Sequence, residues 1–252
     1  MRRKLLSTIF VCAFVFCANA QSFTKYSVGI DGGTYGYGIW GATNLHKNFV
    51  LKAGFNYFGL NTSLNAEIPI DGYVIGTDQK VKGMNAIFGQ PRIQMPHGKV
   101  IAEWYPAADG IFSLAFGTYI GVFDVIADGL VENYQNAVTE HGGDIEFRML
   151  GAHLRPRADG SFDGRIRIGE NFVKPYVGIG LGRSIPKNHI GFKFDLGLTY
   201  QGNVKFISEQ ANIDDVRDSV GSQDYADLGI INTFLYLAKF WPVLNFSLSY
   251  KF

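Results

Sequence analysis

The sequence predicts an all-β fold: a transmembrane antiparallel up-and-down β-barrel of eight strands, with a helical insertion before the last strand. Two observations lead to this prediction. Segments in which every second residue is apolar recur along the chain, and the connections between them are of two kinds, short and long. The chain is also 15% aromatic with 31 glycines. Because only helices and closed barrels satisfy every backbone group in lipid, this composition without a clean helical span favours a barrel.

Residues 1–20 have the features of a secretory signal peptide. A basic start at Arg2, Arg3 and Lys4 precedes a short apolar run, and Ala18-Asn19-Ala20 forms a small-x-small cleavage site. We therefore expect residues 21–252 to form a single outer-membrane barrel domain. Both cysteines, Cys12 and Cys17, lie in the leader, so the mature chain is expected to have no disulfide and no cysteine metal site.

Charge excludes one class of partner. Without the three basic residues of the leader, the chain keeps 20 Lys and Arg against 22 Asp and Glu, a net charge of −2. This balance gives no basic footprint for nucleic acid. The sequence also lacks a ligand cluster for a metal, and we expect no cofactor.

The first three strands are predicted from alternation. Phe23–Asp31 is followed by a turn signal at Asp31-Gly32-Gly33, and Thr34–Ala42 alternates again after it. Phe49–Leu60 then places Phe49, Leu51, Ala53, Phe55 and Tyr57 opposite Lys52, Gly54 and Asn56. In a strand, successive side chains point to opposite faces, so one face is apolar and the other is polar or bare.

The remaining spanning strands follow the same rule. They are predicted at 98–105, 111–124, 172–184, 190–206 and 245–252. The clearest is Ile190–Phe206, where Phe192, Phe194 and Leu196 alternate with Lys193 and Asp195. Its length exceeds the roughly 9–11 residues that a tilted spanning strand needs, which predicts that its outer part rises above the lipid.

The connections set the orientation. Short turns at 31–33, 44–48, 106–110 and 185–189 contrast with long excursions at 61–97, 125–163 and 207–240. Bacterial barrels have short periplasmic turns and long external loops. With eight strands and both termini in the periplasm, the three excursions are predicted to lie outside, and the 31–33 hairpin is predicted to be a short external loop. A β-ribbon is expected around 73–88, and two polar arms at 145–149 and 165–168 are expected to form another. Counting such ribbons as spanning strands gives the ten-strand alternative.

Residues 208–240 have helical spacing instead. Ile213, Val216 and Val220 lie among acidic residues, and the later part of the segment is apolar on nearly all sides. A helix over the barrel mouth or on the membrane surface is the favoured interpretation. An extra strand is the alternative, and Pro242 is expected to end the region.

The inward face provides the candidate binding residues Lys52, Glu103, Lys193 and Asp195. Charges in a narrow lumen need partners or water. One interpretation is a structural ion-pair network that fills the barrel, which agrees with the small interior of eight strands. The other is a selective narrow pore or ligand pocket. Inward glycines at 178, 180, 182, 191 and 197 permit close approach or line a groove for an acyl chain.

The five histidines are the candidates for a catalytic base. His46 and His189 are expected in turns, and His97, His141 and His153 in loops or strand ends. A rim arrangement of His141 or His153 with Ser161 and Glu140 would suit a lipid-modifying enzyme. Nothing in the spacing demands it, so no catalysis is expected.

The C-terminal strand carries a membrane-assembly signal. Phe246, Leu248, Tyr250 and Phe252 alternate up to the final aromatic residue, which resembles the signal recognised by the outer-membrane assembly machinery. Four further stretches are landmarks: Glu103-Trp104-Tyr105-Pro106, residues 174–182 (KPYVGIGLG), residues 191–197 (GFKFDLG) and the ending from Trp241-Pro242-Val243 to Ser249-Tyr250-Lys251-Phe252. The chain resembles a largely uncharacterised family of small Gram-negative outer-membrane β-barrel proteins.

That resemblance implies a fold and a location but no substrate and no catalytic residues. A Gln directly after Ala-Asn-Ala is also similar to exported proteins of the Bacteroides group. The expected function is a structural or partner-binding role through long extracellular loops, in contact with outer-membrane lipids. A narrow passive pore for small solutes is the alternative, and a lipid-modifying enzyme is a third hypothesis.

Overall fold

The computed structural model describes residues 23–62, 65–77, 79–149, 152–207, 211–212 and 239–252. Its elements in chain order are β1 (Tyr26–Gly33), β2 (Gly36–His46), β3 (Phe49–Asn61), β4 (Ala66–Val74), β5 (Lys80–Trp104), β6 (Phe112–Gly121), β7 (Asp124–Val131), α1 (Tyr134–His141), β8 (Ile145–Met149), β9 (Ala152–Leu154), β10 (Ser161–Arg167), β11 (Val173–Gly182), β12 (Ile190–Tyr200), β13 (Lys205–Ile207), β14 (Ala211–Asn212) and β15 (Phe240–Lys251).

Eight antiparallel strands close into a ring. The order around it is β1, β2, β3, β5, β6, β11, β12 and β15, and β15 pairs back with β1. The predicted eight-stranded barrel is therefore confirmed. The ten-strand alternative is wrong, because the strands of the long connections pair outside the ring rather than within it.

Alternation sets the two faces of every ring strand. On β12, Phe192 is 77% exposed, whereas Lys193 and Asp195 between the outward residues are buried. The same pattern runs along β15, where exposed and buried positions alternate from Leu244 to Tyr250. The apolar face of the ring thus points outward and the polar face points into the lumen.

A second sheet extends from one end of the ring, and we call it the distal sheet. Its strand order is β14-β9-β8-β4-β5-β7-β10-β13. The strand β5 belongs to both structures: its first half pairs with β4 and β7, and its second half lies in the ring. A register shift between Gly89 and Arg92, with Gln90 at φ 44°, marks the passage from one to the other.

The distal sheet curls around its own core. That core joins β4, β5, β7, β8, β9, β10 and the helix α1. Its members include Phe88, Ile145, Phe147, Leu154 and Phe162, all buried. Tyr134 of α1 packs on Phe147 with ring centroids 6.2 Å apart. Burial of this apolar set away from the ring gives the distal sheet its own source of stability.

Several sequence predictions need correction. The ribbon expected around 73–88 exists as β4 paired with β5, but it is continuous with the ring strand predicted at 98–105. The two polar arms at 145–149 and 165–168 do not pair with each other: β8 pairs with β4 and β9, and β10 pairs with β7 and β13. Apolar residues of β8 and β10 face the distal core. The charged residues on the opposite faces of these strands do not reveal this packing.

The long strand predicted at 190–206 is broken. The ring strand β12 ends at Tyr200, and Gly202 has φ 84°, a left-handed conformation that suits glycine. After this bend, β13 leaves the ring and pairs with β10. The turn predicted at Asp31-Gly32-Gly33 is also displaced, because β1 continues to Gly33.

The helix α1 was not predicted. It ends at Gly142, whose φ of 70° and N–H bond to the Val138 carbonyl form a left-handed cap. The helix predicted within 208–240 falls largely on residues outside the described ranges. Within that segment, residues 211–212 form β14, and Phe240 already belongs to β15, which contains Pro242. The predicted signal peptide also lies outside the described residues.

Candidate functional site

Four charged side chains meet in the lumen, and we call them the central ion cluster: Lys52, Glu103, Lys193 and Asp195. Lys52 Nζ lies 3.1 Å from Glu103 Oε1 and 3.2 Å from Asp195 Oδ2. Lys193 Nζ lies 3.0 Å from Glu103 Oε1 and also contacts Asp195 Oδ1. All four are buried. The structure therefore brings together the four lumen residues named from the sequence, and their charges sum to zero.

The cluster crosses the barrel. Lys52 is on β3 and Asp195 is on β12, and these strands are four positions apart in a ring of eight. Opposite walls are thus joined by a direct ion pair. Glu103 accepts further hydrogen bonds from the Tyr105 and Ser184 hydroxyls, both at 2.8 Å. Buried carboxylates need such additional partners to offset their desolvation.

A second buried ion pair also spans the lumen. Lys99 of β5 contacts Asp31 of β1. Asp31 also accepts from the amides of Asn56 at 2.8 Å and Asn245 at 3.1 Å. Four strands of the ring therefore converge on one carboxylate. The sequence predicts a turn at Asp31-Gly32-Gly33, so Asp31 is not among the lumen candidates that alternation identifies.

Lys99 and Lys174 were missed as well, although the signal was present. On β5, Lys99 is four residues from Glu103, and on β11, Lys174 is four residues from the inward Gly178. Residues an even number of positions apart on a strand share a face, so both lysines are expected to point inward. Both are buried. Strict alternation along the whole strand would have placed them in the lumen.

Inward glycines make room for the cluster and its neighbours. A Cβ added at Gly180 would lie 2.6 Å from Ser113 Oγ and 2.7 Å from both Asp195 Oδ1 and Lys193 Nζ. At Gly197 it would lie 2.5 Å from the Tyr176 ring, which also fills the space beside Gly178. The space beside these glycines, which the sequence suggested as a groove for an acyl chain, is therefore occupied by the protein's own side chains.

Apolar side chains close the end of the ring opposite the distal sheet, which we call the proximal end. Trp40, Ala42, Val50, Tyr105 and Ile185 form a buried cluster there. The turn after β11 folds into the opening, where Ser184, Ile185 and Pro186 are buried. Arg183 packs over the Tyr105 ring at 4.6 Å and donates to the Ala108 carbonyl at 2.7 Å. These contacts place apolar and hydrogen-bonded side chains of the described residues at the proximal mouth.

Aromatic side chains fill the lumen toward the distal end. Tyr35 and Tyr119 stack with centroids 4.5 Å apart, and Tyr119 meets Tyr176 edge-on at 5.5 Å. The Tyr35 hydroxyl hydrogen bonds the Thr199 hydroxyl at 2.7 Å. Phe123 packs on Trp241 at 5.3 Å. The central ion cluster thus lies between two apolar layers.

The expectation that His97 lies in a loop or at a strand end is wrong, because His97 lies within β5 and is buried in the lumen. Its ring lies 4.6 Å from the Tyr35 ring, and Nε2 is 3.1 Å from Lys174 Nζ. The other catalytic candidates have separate partners. His153 Nδ1 contacts Glu146 at 3.0 Å, His141 Nδ1 contacts Gln79 at 3.2 Å, and Ser161 Oγ donates to Asp159 at 2.7 Å.

The base of the distal sheet carries a separate ion pair. Arg167 donates to Asp124 through two nitrogens, at 2.7 and 2.9 Å. These hydrogen bonds raise the pKa of the Arg167 guanidinium. The parallel two-bond geometry is the strong form of an arginine–carboxylate contact.

Aromatic side chains border the outward apolar face at both ends. Toward the distal sheet, Tyr37 pairs with Tyr57 at 6.2 Å and Tyr200 with Phe240 at 5.4 Å. Toward the proximal end, Phe49 stacks on Trp104 at 6.5 Å and Tyr250 meets Phe252 at 5.5 Å. The residues of the predicted assembly signal, Phe246, Leu248, Tyr250 and Phe252, are all exposed on this outer face.

Two features are absent from the described residues. Within those ranges, no helix is long and apolar enough to cross a membrane. In the same part of the chain, no group of three or more His, Cys, Asp or Glu side chains could hold a metal ion.

Comparison with known proteins finds likeness in structure only. No family model matches the chain, and no curated protein matches it. Among solved structures, it is similar to CarO2 of Acinetobacter baumannii, at 17% identity and a TM-score of 0.48, over 92% of this chain and 100% of that one. It is also similar to CarO of Acinetobacter baumannii, at 20% identity and a TM-score of 0.45, over 89% of this chain and 96% of that one.

Proposed function

We propose that this protein is an outer-membrane β-barrel with a closed lumen, which anchors the distal sheet at the cell surface to meet an external partner. The barrel serves as a structural base rather than as a channel. The observation that carries the proposal is the ion pair between Lys52 and Asp195, which joins opposite walls of the ring at 3.2 Å.

The outer face supports a membrane location. It is apolar between the two aromatic borders, where residues such as Phe192, Phe246 and Ile179 are exposed. From Phe49 to Tyr57 on β3 is eight residues, or roughly 26 Å along the strand. At the tilt of about 40° that such strands have, this length corresponds to a height of about 20 Å. An outward apolar band of about 25 Å flanked by aromatic girdles is typical of outer-membrane barrels. A water-soluble protein rarely exposes so large an apolar surface.

The lumen supports closure. The charge-balanced central ion cluster lies between the apolar cluster that contains Tyr105 and the one that contains Tyr35. An ion crossing the lumen would have to displace side chains from both apolar clusters and from the central ion cluster. Eight-stranded barrels are just wide enough for side chains to fill.

The distal sheet supports a role outside the cell. Long connections of such barrels lie on the external side, and here they form a sheet with its own apolar core. Such a surface keeps its shape without a partner, which favours recognition of something external. Insertion would use the outer-membrane assembly machinery, through the outward residues of β15.

Conductance tests closure directly. Purified protein inserted into planar lipid bilayers should give no resolved openings, while an open porin added to the same bilayer serves as the positive control. Resolved steps would favour the passive pore. Ion selectivity that changes in Lys193→Gln, but not in the exposed control Lys80→Gln, would then place the ion path at the central ion cluster.

Location and surface display need a second measurement. In intact Gram-negative cells, external protease should cut the distal sheet while the ring remains protected. Protection of the distal sheet in intact cells, with cleavage only after lysis, would contradict the proposed orientation. We also infer that the protein is not an enzyme, and intact lipid A and phospholipid by mass spectrometry after incubation would agree with this.

A further inference from the structure

Two arginines on the outer face of the distal sheet have no acidic partner among the described residues. Of the arginine side chains that the structure describes, Arg155, Arg157 and Arg167 pair with carboxylates, and Arg183 donates to carbonyl oxygens. Arg92 and Arg165 are exposed, and each lacks an ion pair within the described ranges.

The register places these two arginines in one row. Ile126 of β7 pairs with Arg92 of β5 on one side and with Arg165 of β10 on the other. Residues directly opposite each other in antiparallel strands share a face, and strands are about 4.8 Å apart, so the two Cα atoms are separated by roughly 10 Å. Two long side chains at this spacing can converge on one anion above Ile126.

Neighbouring residues show that the row faces outward. Ile93, the neighbour of Arg92, packs against the apolar lumen residues around Tyr35. Near Arg165, Phe162 is part of the distal core and Ile166 packs against it. The acids on the same face are Asp124, Asp128 and Asp163. Asp124 is held by Arg167, and Asp163 by Arg157 at 2.7 Å. Asp128 is exposed and has no ion pair within the described ranges. Arg92, Arg165 and the two arginines paired with Asp124 and Asp163 number four against three carboxylates, so the net charge around Ile126 is +1.

The distance of this row from the aromatic border indicates which kind of anion it can reach. Arg92 lies opposite Asn61 on β3, four residues beyond Tyr57 of the aromatic border. Four residues rise roughly 13 Å along a strand, less when the strand is tilted. Arg165 stands in the same row, and arginine stems can bend back toward the apolar boundary. In the orientation proposed above, both guanidiniums can therefore reach the level of lipid headgroups in the outer leaflet.

We propose that Arg92 and Arg165 together bind the phosphate of a phosphorylated glycolipid headgroup in the outer leaflet. A guanidinium matches phosphate oxygens with two parallel N–H donors, and Ile126 between them contacts the apolar part of the headgroup. This inference rests on the membrane orientation proposed above.

Binding to defined lipids tests the inference. The full-length protein in detergent micelles is titrated, by native mass spectrometry, with diphosphorylated lipid A and with the same lipid after enzymatic removal of its phosphates. We expect the wild type to bind the phosphorylated form roughly tenfold more tightly, since charge-assisted hydrogen bonds account for the difference. The double variant Arg92→Gln/Arg165→Gln should lose this preference.

Arg155→Gln is the matched control, because it also removes an exposed arginine of the distal sheet, and its partner Glu146 is on β8, outside the row. This variant should keep the preference. Equal binding of the two lipids by the wild type would overturn the inference, as would an unchanged preference in the double variant. Displacement of the lipid by an equimolar amount of inorganic phosphate would also overturn it, by showing a free-phosphate site. Each result is separate from the conductance and protease tests, so the closed external barrel can stand if the lipid site fails.

Discussion

Lys52 Nζ and Asp195 Oδ2 are 3.2 Å apart although their strands stand on opposite sides of the barrel. This contact ties the wall together across its diameter. It also makes each of the two charges dependent on the other, because a buried charge without a partner is strongly destabilising.

The first prediction concerns this dependence. Lys52→Met should lower the free energy of unfolding by about 3–5 kcal/mol, since Glu103 and Asp195 lose a buried cation. The double variant Lys52→Met/Asp195→Asn should cost less than the sum of its single changes, by about 2 kcal/mol. Unfolding in urea, followed by the heat-dependent gel mobility of the barrel, measures both.

A surface pair provides the control for that experiment. Lys80 and Asp71 form an ion pair with both side chains substantially exposed. Lys80→Met should change stability by no more than about 1 kcal/mol. Equal effects of Lys52→Met and Lys80→Met would show that the central ion cluster does not hold the ring.

The second prediction concerns the space beside the cluster. Gly180→Ala should destabilise the barrel by about 1–3 kcal/mol, because its methyl group would overlap Ser113, Asp195 and Lys193. Gly32→Ala is the matched control on another ring strand, where an added Cβ meets nothing within 4 Å. The same urea titration compares them, and a harmless Gly180→Ala would mean that the lumen has spare room.

The third prediction tests which face meets lipid. Leu196 is exposed between the two aromatic borders, and Tyr200 lies at the distal border. Leu196→Arg should cost about 2–4 kcal/mol in lipid vesicles, whereas Tyr200→Arg should cost about 0–1 kcal/mol, because the penalty depends on depth. Folding into vesicles at several urea concentrations gives both values. Similar small costs at the two positions would argue that water surrounds this face.

The fourth prediction separates the distal sheet from the ring. Phe147 is fully buried in the distal core, so Phe147→Ala should cost about 3–5 kcal/mol there. Limited proteolysis should then cut the distal sheet while the ring keeps its folded gel mobility. Ile68→Ala on the exposed face of β4 should leave the cleavage pattern unchanged. Loss of both structures together in Phe147→Ala would show that they unfold as one unit.

Alternation predicted the ring well because each ring strand has one apolar and one polar face. Alternation therefore predicts an inward position for the four residues of the central ion cluster, because each is a charged residue between outward apolar ones: Lys52, Glu103, Lys193 and Asp195. The pairing of those charges depends on strands distant in sequence, which a local pattern does not contain. Asp31 was lost because Asp-Gly-Gly is also a turn signature, and here the lumen needed its carboxylate.

The distal sheet was harder to predict. Its strands keep one buried face, but several carry charges on the other, as Arg165 and Arg167 do on β10, so they resemble exposed ribbons. The break after Tyr200 does not follow from alternation, because Val204 and Phe206 continue the apolar pattern beyond Gly202 and predict one long strand. Its left-handed φ sends the chain away from the ring instead.

The strand β5 has 25 residues and belongs to both the ring and the distal sheet. Because the same backbone runs through the two, with a register shift but no flexible linker between them, the distal sheet is held at a fixed angle to the ring. In the proposed orientation, a partner approaching from outside the cell would therefore meet a surface with one tilt and one height above the bilayer. Neighbouring copies of the protein would present that surface in the same orientation. A partner with several binding sites could then bind several copies without first having to align their distal sheets.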